Sequence, residues 1–154
     1  MRSFSIKIAT LVALTLTIGA IVSIAKSSDA PTATIGVENA WVRPTIATGK
    51  TTAGYATLTN MSQEPDRLIA VKTDQAAMVQ MHITTMTDGI MRMRRQDGLD
   101  IPPGGTITLA PGGAHLMIMG LSSPLQPGDK VTLTFTFEKA GDITLDVPVE
   151  KKTP

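Results

Sequence analysis

From Ile35 onward the chain is written in short alternating runs. Apolar residues take every second position, and breaks containing Gly, Pro, Asn or Asp separate the runs. Period two belongs to a strand with one face in a core and the other in water. Residues 131–137 are the cleanest case, with Val131, Leu133, Phe135 and Phe137 on one face. Residues 53–60 set Tyr55, Thr57 and Thr59 against Ala56, Leu58 and Asn60. Strand character also marks residues 35–42, 67–73, 78–83, 90–95, 106–110 and 142–149. Asp88-Gly89, between two of these runs, is a hairpin signal. Residues 46–51 read as a polar connection, and 98–105, with Pro102-Pro103-Gly104-Gly105, as turn chemistry. No stretch carries a convincing helical period. About nine short strands at regular spacing predict an antiparallel β-sandwich or barrel.

The segment 111–121 (PGGAHLMIMGL) adds chemistry to this pattern. A Pro-Gly-Gly turn leads into an apolar strand whose alternation sends Leu116 and Ile118 to a core. His115, Met117 and Met119 point the other way. An imidazole and a thioether two residues apart are donors that Cu(I) selects. The plainer reading is that Met fills the core and His115 is structural.

Composition narrows the choice. A chain of 154 residues is one domain's worth and can bury a core without staples. It has no Cys, hence no disulfide, thiolate metal site or Cys nucleophile. A net charge of +1 and few aromatics argue against nucleic-acid binding. Arg92, Arg94 and Arg95 are the one basic cluster, and a local charge run usually solvates a face. At the N-terminus, Arg2 and Lys7 precede an uncharged, mostly apolar run from Ile8 to Ala25. Residues 1–30 are therefore expected to be an export signal or an N-terminal membrane anchor with a short linker. Residues 31–154 form the working domain, expected to be periplasmic or otherwise extracytoplasmic. No Cys follows the apolar run to carry a lipid there.

Four positions stand out: His82, Met93, His115 and Met117. Thioethers bind hard cations poorly, and a site without carboxylates argues against Ca and Mg. The hairpin at Asp88-Gly89 sets the strand of Met93 beside that of His82. Met86, Met91 and Met119 compete for the same role, whereas Met61 and Met78 read as filler. Met81 falls on the face opposite His82.

These residues carry a resemblance to the bacterial periplasmic copper chaperones of the PCuAC family, formerly a domain of unknown function. That family's signature is a His (sometimes Met), ten residues, a Met, twenty-one residues, then His-x-Met. Here His82, Met93, His115 and Met117 stand at those spacings. The blocks AWVRP from Ala40, GYATLTN from Gly54, GIMRMR from Gly89, IPPGG from Ile101 and GGAHLM from Gly112 resemble the family as well. The likeness covers roughly residues 36–150. It implies a cupredoxin-like Greek-key β-sandwich and a monomer holding one Cu(I) at an exposed site. It also implies delivery of copper to an acceptor such as the binuclear copper centre of a cytochrome c oxidase subunit. Some family members have a His/Met-rich C-terminal tail; this chain ends Glu150-Lys151-Lys152-Thr153-Pro154.

Two rival readings follow. One is an exported non-metal β-sandwich interaction module with a Met-rich core. The other is an enzyme, but reductase chemistry needs a reactive Cys and no nucleophilic triad can be assembled. The expectation is a binding protein without catalysis, its site at one edge of the sandwich with Met side chains partly exposed.

Overall fold

A computed structural model describes residues 34–152, so the expected export or anchor segment lies outside the described residues. The described chain has ten strands and no helix: β1 (Ile35–Val42), β2 (Thr51–Asn60), β3 (Asp66–Lys72), β4 (Ala76–Thr87), β5 (Ile90–Gln96), β6 (Leu99–Ile101), β7 (Thr106–Leu109), β8 (Ala114–Leu121), β9 (Lys130–Phe137) and β10 (Gly141–Pro148). One sheet has six strands, ordered β1-β2-β8-β4-β5, with β7 also pairing to β2. The other has four, ordered β10-β9-β3-β6. All strand pairs are antiparallel; a single parallel bridge joins Val42 to Val149. The architecture is the antiparallel Greek-key β-sandwich, cupredoxin-like, that the alternation and the family likeness predict.

The core lies between the sheets and follows the period-two pattern. β9 contributes Val131, Leu133, Phe135 and Phe137, all nearly inaccessible to water. β8 sends Leu116 and Ile118 inward, and β2 sends Ala56 and Leu58. Met81 is the one methionine among these buried residues; Met61, Met78, Met86, Met91 and Met93 are exposed. The Met-rich core of the rival reading is therefore not formed. Branched and aromatic side chains fill the interior, and the methionines sit largely outside it.

Two strand boundaries differ from expectation. β6 falls within the stretch read as a turn, because three residues next to a Pro-Pro-Gly-Gly run carry too little periodicity to stand out. Its Leu99 and Ile101 nevertheless enter the core, while Asp100 stays exposed. β4 is longer than residues 78–83, so the β4–β5 hairpin extends to the turn at Asp88-Gly89. β5 is the last strand of its sheet and is exposed from Ile90 to Arg95.

Candidate metal centre

The register of three neighbouring strands assembles the four singled-out residues. His82 on β4 stands directly opposite His115 on β8, and one row along Gln80 stands opposite Met117. On the other side of β4, Thr84 pairs with Met93 of β5. Side chains alternate across a sheet, so His82, Thr84, Met93, His115 and Met117 share one face. It is the outer face, because Met81, Leu116 and Ile118 take the core side. The two imidazole rings lie 5.9 Å apart, centroid to centroid. His115 is 7% exposed and Met93 49%; His82 and Met117 lie between. The site is thus neither fully buried nor flat on the surface.

Residues 43–50, between β1 and β2, run along this face. This connection takes in most of the 46–51 stretch that the sequence presents only as a polar link, and it lines the site with Arg43, Pro44, Thr45, Ile46 and Gly49. It is pinned to residue 125: Thr45 N–H donates to the Leu125 carbonyl and Leu125 N–H to Thr45 Oγ1, both at 3.0 Å. The Thr52 hydroxyl donates to the Arg43 carbonyl at 2.6 Å. An open cleft of about 500 Å³ results, with Ile46, Tyr55, Met91, Met93, His115 and Met117 among its walls. Tyr55 is itself held by Trp41, its ring centroid 4.5 Å away.

Hydrogen bonds set the tautomer of each ring. His115 Nδ1 lies 3.0 Å from the Gly113 carbonyl oxygen, which can only accept. Nδ1 therefore carries the proton of the neutral ring, and Nε2 keeps its lone pair. His82 is the mirror case. Its Nε2 lies 3.1 Å from Gln80 Oε1, while the Gln80 amide nitrogen turns to the Met78 sulfur at 3.6 Å. Nε2–H donates to Gln80, and the lone pair is left on Nδ1. That atom is buried and has no hydrogen-bond partner. A buried polar atom without a partner costs about 1–3 kcal/mol, and a metal ion is one species that would satisfy it. Burial first, then the neighbouring His115 and Arg95, hold the His82 imidazole below its ordinary pKa. The ring is thereby kept neutral, which is the form that binds metal.

The donor set available is two imidazole nitrogens and two thioethers. Among the described residues no three His, Cys, Asp or Glu side chains group together. Beyond the two imidazoles the soft side-chain donors on this face are Met sulfurs, which favour Cu(I) over hard cations and over structural Zn. Blue-copper electron transfer is excluded by the absence of Cys.

Two features were not apparent in the sequence. Gln80, two residues before His82 and so on its face, orients that ring; the spacing was visible, but nothing distinguished this Gln from a solvent-facing one. Met78 is not an isolated filler, since Met119 stands opposite it. Met91, already a competitor for the role in the sequence, lines the cleft beside Met93. Met61, by contrast, is an exposed residue at the start of a loop.

The LpqE-like lipoprotein family matches residues 35–149. A Leifsonia xyli subsp. xyli protein named as a lipoprotein, Lxx21020, is 32% identical over 117 residues, covering 75% of this chain and 69% of that protein. The uncharacterized protein RP573 of Rickettsia prowazekii is 28% identical over 118 residues, covering 74% and 65% respectively. Among solved structures, the copper-bound PCuAC domain from PmoF2 is 33% identical with a TM-score of 0.67, covering 77% of this chain and 94% of that domain. The solution structure of Cu(I)-DR1885 from Deinococcus radiodurans is 32% identical with a TM-score of 0.60, covering 83% and 84%. A match along nearly the whole described sandwich, in sequence and in fold, leads to one conclusion: the chain belongs to the LpqE-like family and has the fold of PCuAC domains.

Proposed function

We propose that this protein is an extracytoplasmic Cu(I) chaperone that holds one copper ion with His82, Met93, His115 and Met117. One observation carries the reading: His82 Nδ1 is buried without a partner, on a ring 5.9 Å from that of His115, with Met93 and Met117 on the same sheet face. The likeness to copper-bound PCuAC domains supports it. Neutral, soft ligands hold copper as Cu(I) and leave no anionic ligand behind on release. The exposed Met93 gives an acceptor's ligands a point of attack before the imidazoles let go. On this reading the site's work is binding and hand-over.

The acceptor is proposed to be a cuproprotein such as the binuclear copper centre of a cytochrome c oxidase subunit, and the chaperone to act as a monomer. Export is supported by the basic and apolar N-terminal segment and by the lipoprotein names of the family and of a relative. The present sequence has no Cys to carry a lipid, so membrane association here would rest on that segment.

The test is an anaerobic Cu(I) titration of residues 31–154 against a competing chromophoric chelator, with His115→Ala and Met93→Leu alongside. One tight equivalent, weakened tenfold or more in each variant, is the expected result. Binding no stronger than the chelator background would overturn the reading.

A further inference from the structure

Six methionines lie on the outer face of the six-stranded sheet, and the proposed centre uses two of them. The turn at Asp88-Gly89 makes the remaining arrangement definite. Both residues have positive φ, 52° and 74°. Consecutive positive φ values at the two central residues are the mark of a type I′ hairpin, for which Asp-Gly is a favoured pair. A two-residue loop locks the register, so Thr87 faces Ile90 and Met86 faces Met91. Directly opposite residues have Cβ atoms about 4.5–5.5 Å apart, within reach of two thioethers sharing one ion. Alternation puts Met86 on the face of His82 and Thr84, and Met91 on the face of Met93.

Packing does not account for the pair. Met86 is 66% exposed and Met91 63%, so neither fills a core. Yet Met91 lines the same cleft as Met93, His115 and Met117. Met93 thus stands between two groups of donors: the imidazoles on one side, and a bare thioether pair at the hairpin end on the other.

We propose that Met86 and Met91 form a second, weaker Cu(I) site, and that copper enters or leaves the main centre through it by way of Met93. This rests on the proposed function, because Met93 is a ligand of the main centre and the group through which the two stations exchange copper. The passage is ligand exchange alone. A Cu–N bond to an imidazole breaks as a Cu–S bond to a thioether forms, and copper remains Cu(I) throughout. Two neutral sulfurs without an imidazole hold the ion more loosely, as suits a station of transit.

The experiment uses residues 31–154 with [13C]methyl-labelled methionine, titrated with Ag(I), a soft ion that does not change oxidation state here. The Met86→Leu/Met91→Leu variant is carried in parallel; both positions are exposed and Leu keeps the apolar volume. The first equivalent is expected to move the His82 and His115 ring signals with the Met93 and Met117 methyls, and the second to move Met86 and Met91. The double variant is expected to keep the first equivalent and lose the second. Its transfer of Cu(I) to a bulky chelator is expected to slow fivefold or more. Saturation at one equivalent with Met86 and Met91 unmoved, a second equivalent on Met78 and Met119 instead, or an unchanged transfer rate would overturn the proposal. If Met86 and Met91 respond while the His rings do not, the main centre falls and the thioether pair stands alone.

Discussion

Two hairpins of this sandwich are built from the same local rules and end in opposite conditions. β9–β10 closes through a tight turn ahead of Gly141, which has φ 77°; the alternating apolar residues of β9 vanish into the core with Val147 of β10, and Ile143 and Leu145 pack partly buried against it. β4–β5 closes through Asp88-Gly89, and its outer half stays in water: Met86, Ile90, Met91 and Met93 are each between 49% and 66% exposed. The turn of the first is clamped from across the sheet. Asp66 on β3 accepts the backbone N–H groups of Lys139 and Ala140 at 2.9 Å and its neighbour Arg67 at 2.7 Å. Burial raises the Asp66 carboxyl, and those three donors override it and hold it below its ordinary value. The β4–β5 turn has no comparable clamp among the described residues. Alternation alone decides which side chains share a face. Whether that face is covered depends on what the rest of the chain lays over it. Uncovered apolar sulfur gains nothing from folding, and its use must be sought in binding.

The sharpest contrast comes from truncating the covered hairpin. Phe135→Ala is expected to cost about 3–5 kcal/mol of unfolding free energy, measured by chemical denaturation, with copper stoichiometry of the remaining folded protein unchanged. Asp66→Ala comes next, at about 1–3 kcal/mol, because it strands three part-buried backbone donors. Its pH signature has a definite sign. The folded carboxyl titrates below 3.8, so the unfolded chain takes up the proton first. The stability Asp66 contributes is complete above that value and fades as pH falls through the folded pKa. Wild type should lose stability in that acid range, and the Asp66→Ala variant should lose less. A variant that tracks wild type through the acid range would remove the clamp from the comparison.

On the uncovered side the effects should appear in copper binding. Protons compete with metal for imidazole, whose ordinary pKa is about 6.5. His82 is held lower, so it keeps its lone pair further into acid and the apoprotein loses stability as pH falls below the unfolded value. Cu(I) affinity is expected to fall by about tenfold between pH 6.5 and pH 5, read by chelator competition. A flat profile would remove the imidazoles from the site. The smallest effect on folding belongs to Met93→Leu, expected to change stability by less than about 1 kcal/mol because the swap conserves volume. The same variant should weaken Cu(I) binding tenfold or more. A large loss of stability there would mean that Met93 is structural, and the contrast between the hairpins would collapse.

Much of this was legible residue by residue. The alternation at 131–137 and 53–60 predicts both strands and their buried faces, and Leu116 and Ile118 take the core side as the period requires. Met81 separates from His82 for the same reason. What escaped is instructive. Leu99 and Ile101 form a strand too short to carry a period next to a run of Pro and Gly. Gln80 looks like any exposed polar residue until its amide is seen between His82 Nε2 and the Met78 sulfur. Residues 43–50 look like a connection, because nothing local says that Thr45 will be pinned to Leu125, eighty residues away. Met78 seemed alone because its partner Met119 lies on a strand that is distant in sequence.

The order of residues by itself determined the all-β class, which faces are apolar, the absence of thiolate chemistry, and the spacing of His82, Met93, His115 and Met117. These are local or compositional properties: period, turn residues and donor types are written along the chain. Only the tertiary structure decided that β8 lies between β2 and β4, that His82 meets His115 across the β4–β8 junction, and that residues 43–50 wall a cleft with His115 while the hairpin leaves its methionines bare. Those outcomes depend on long-range register and on which layer ends where. Both are set by burying the common core of two sheets, and no window of neighbouring residues contains that information.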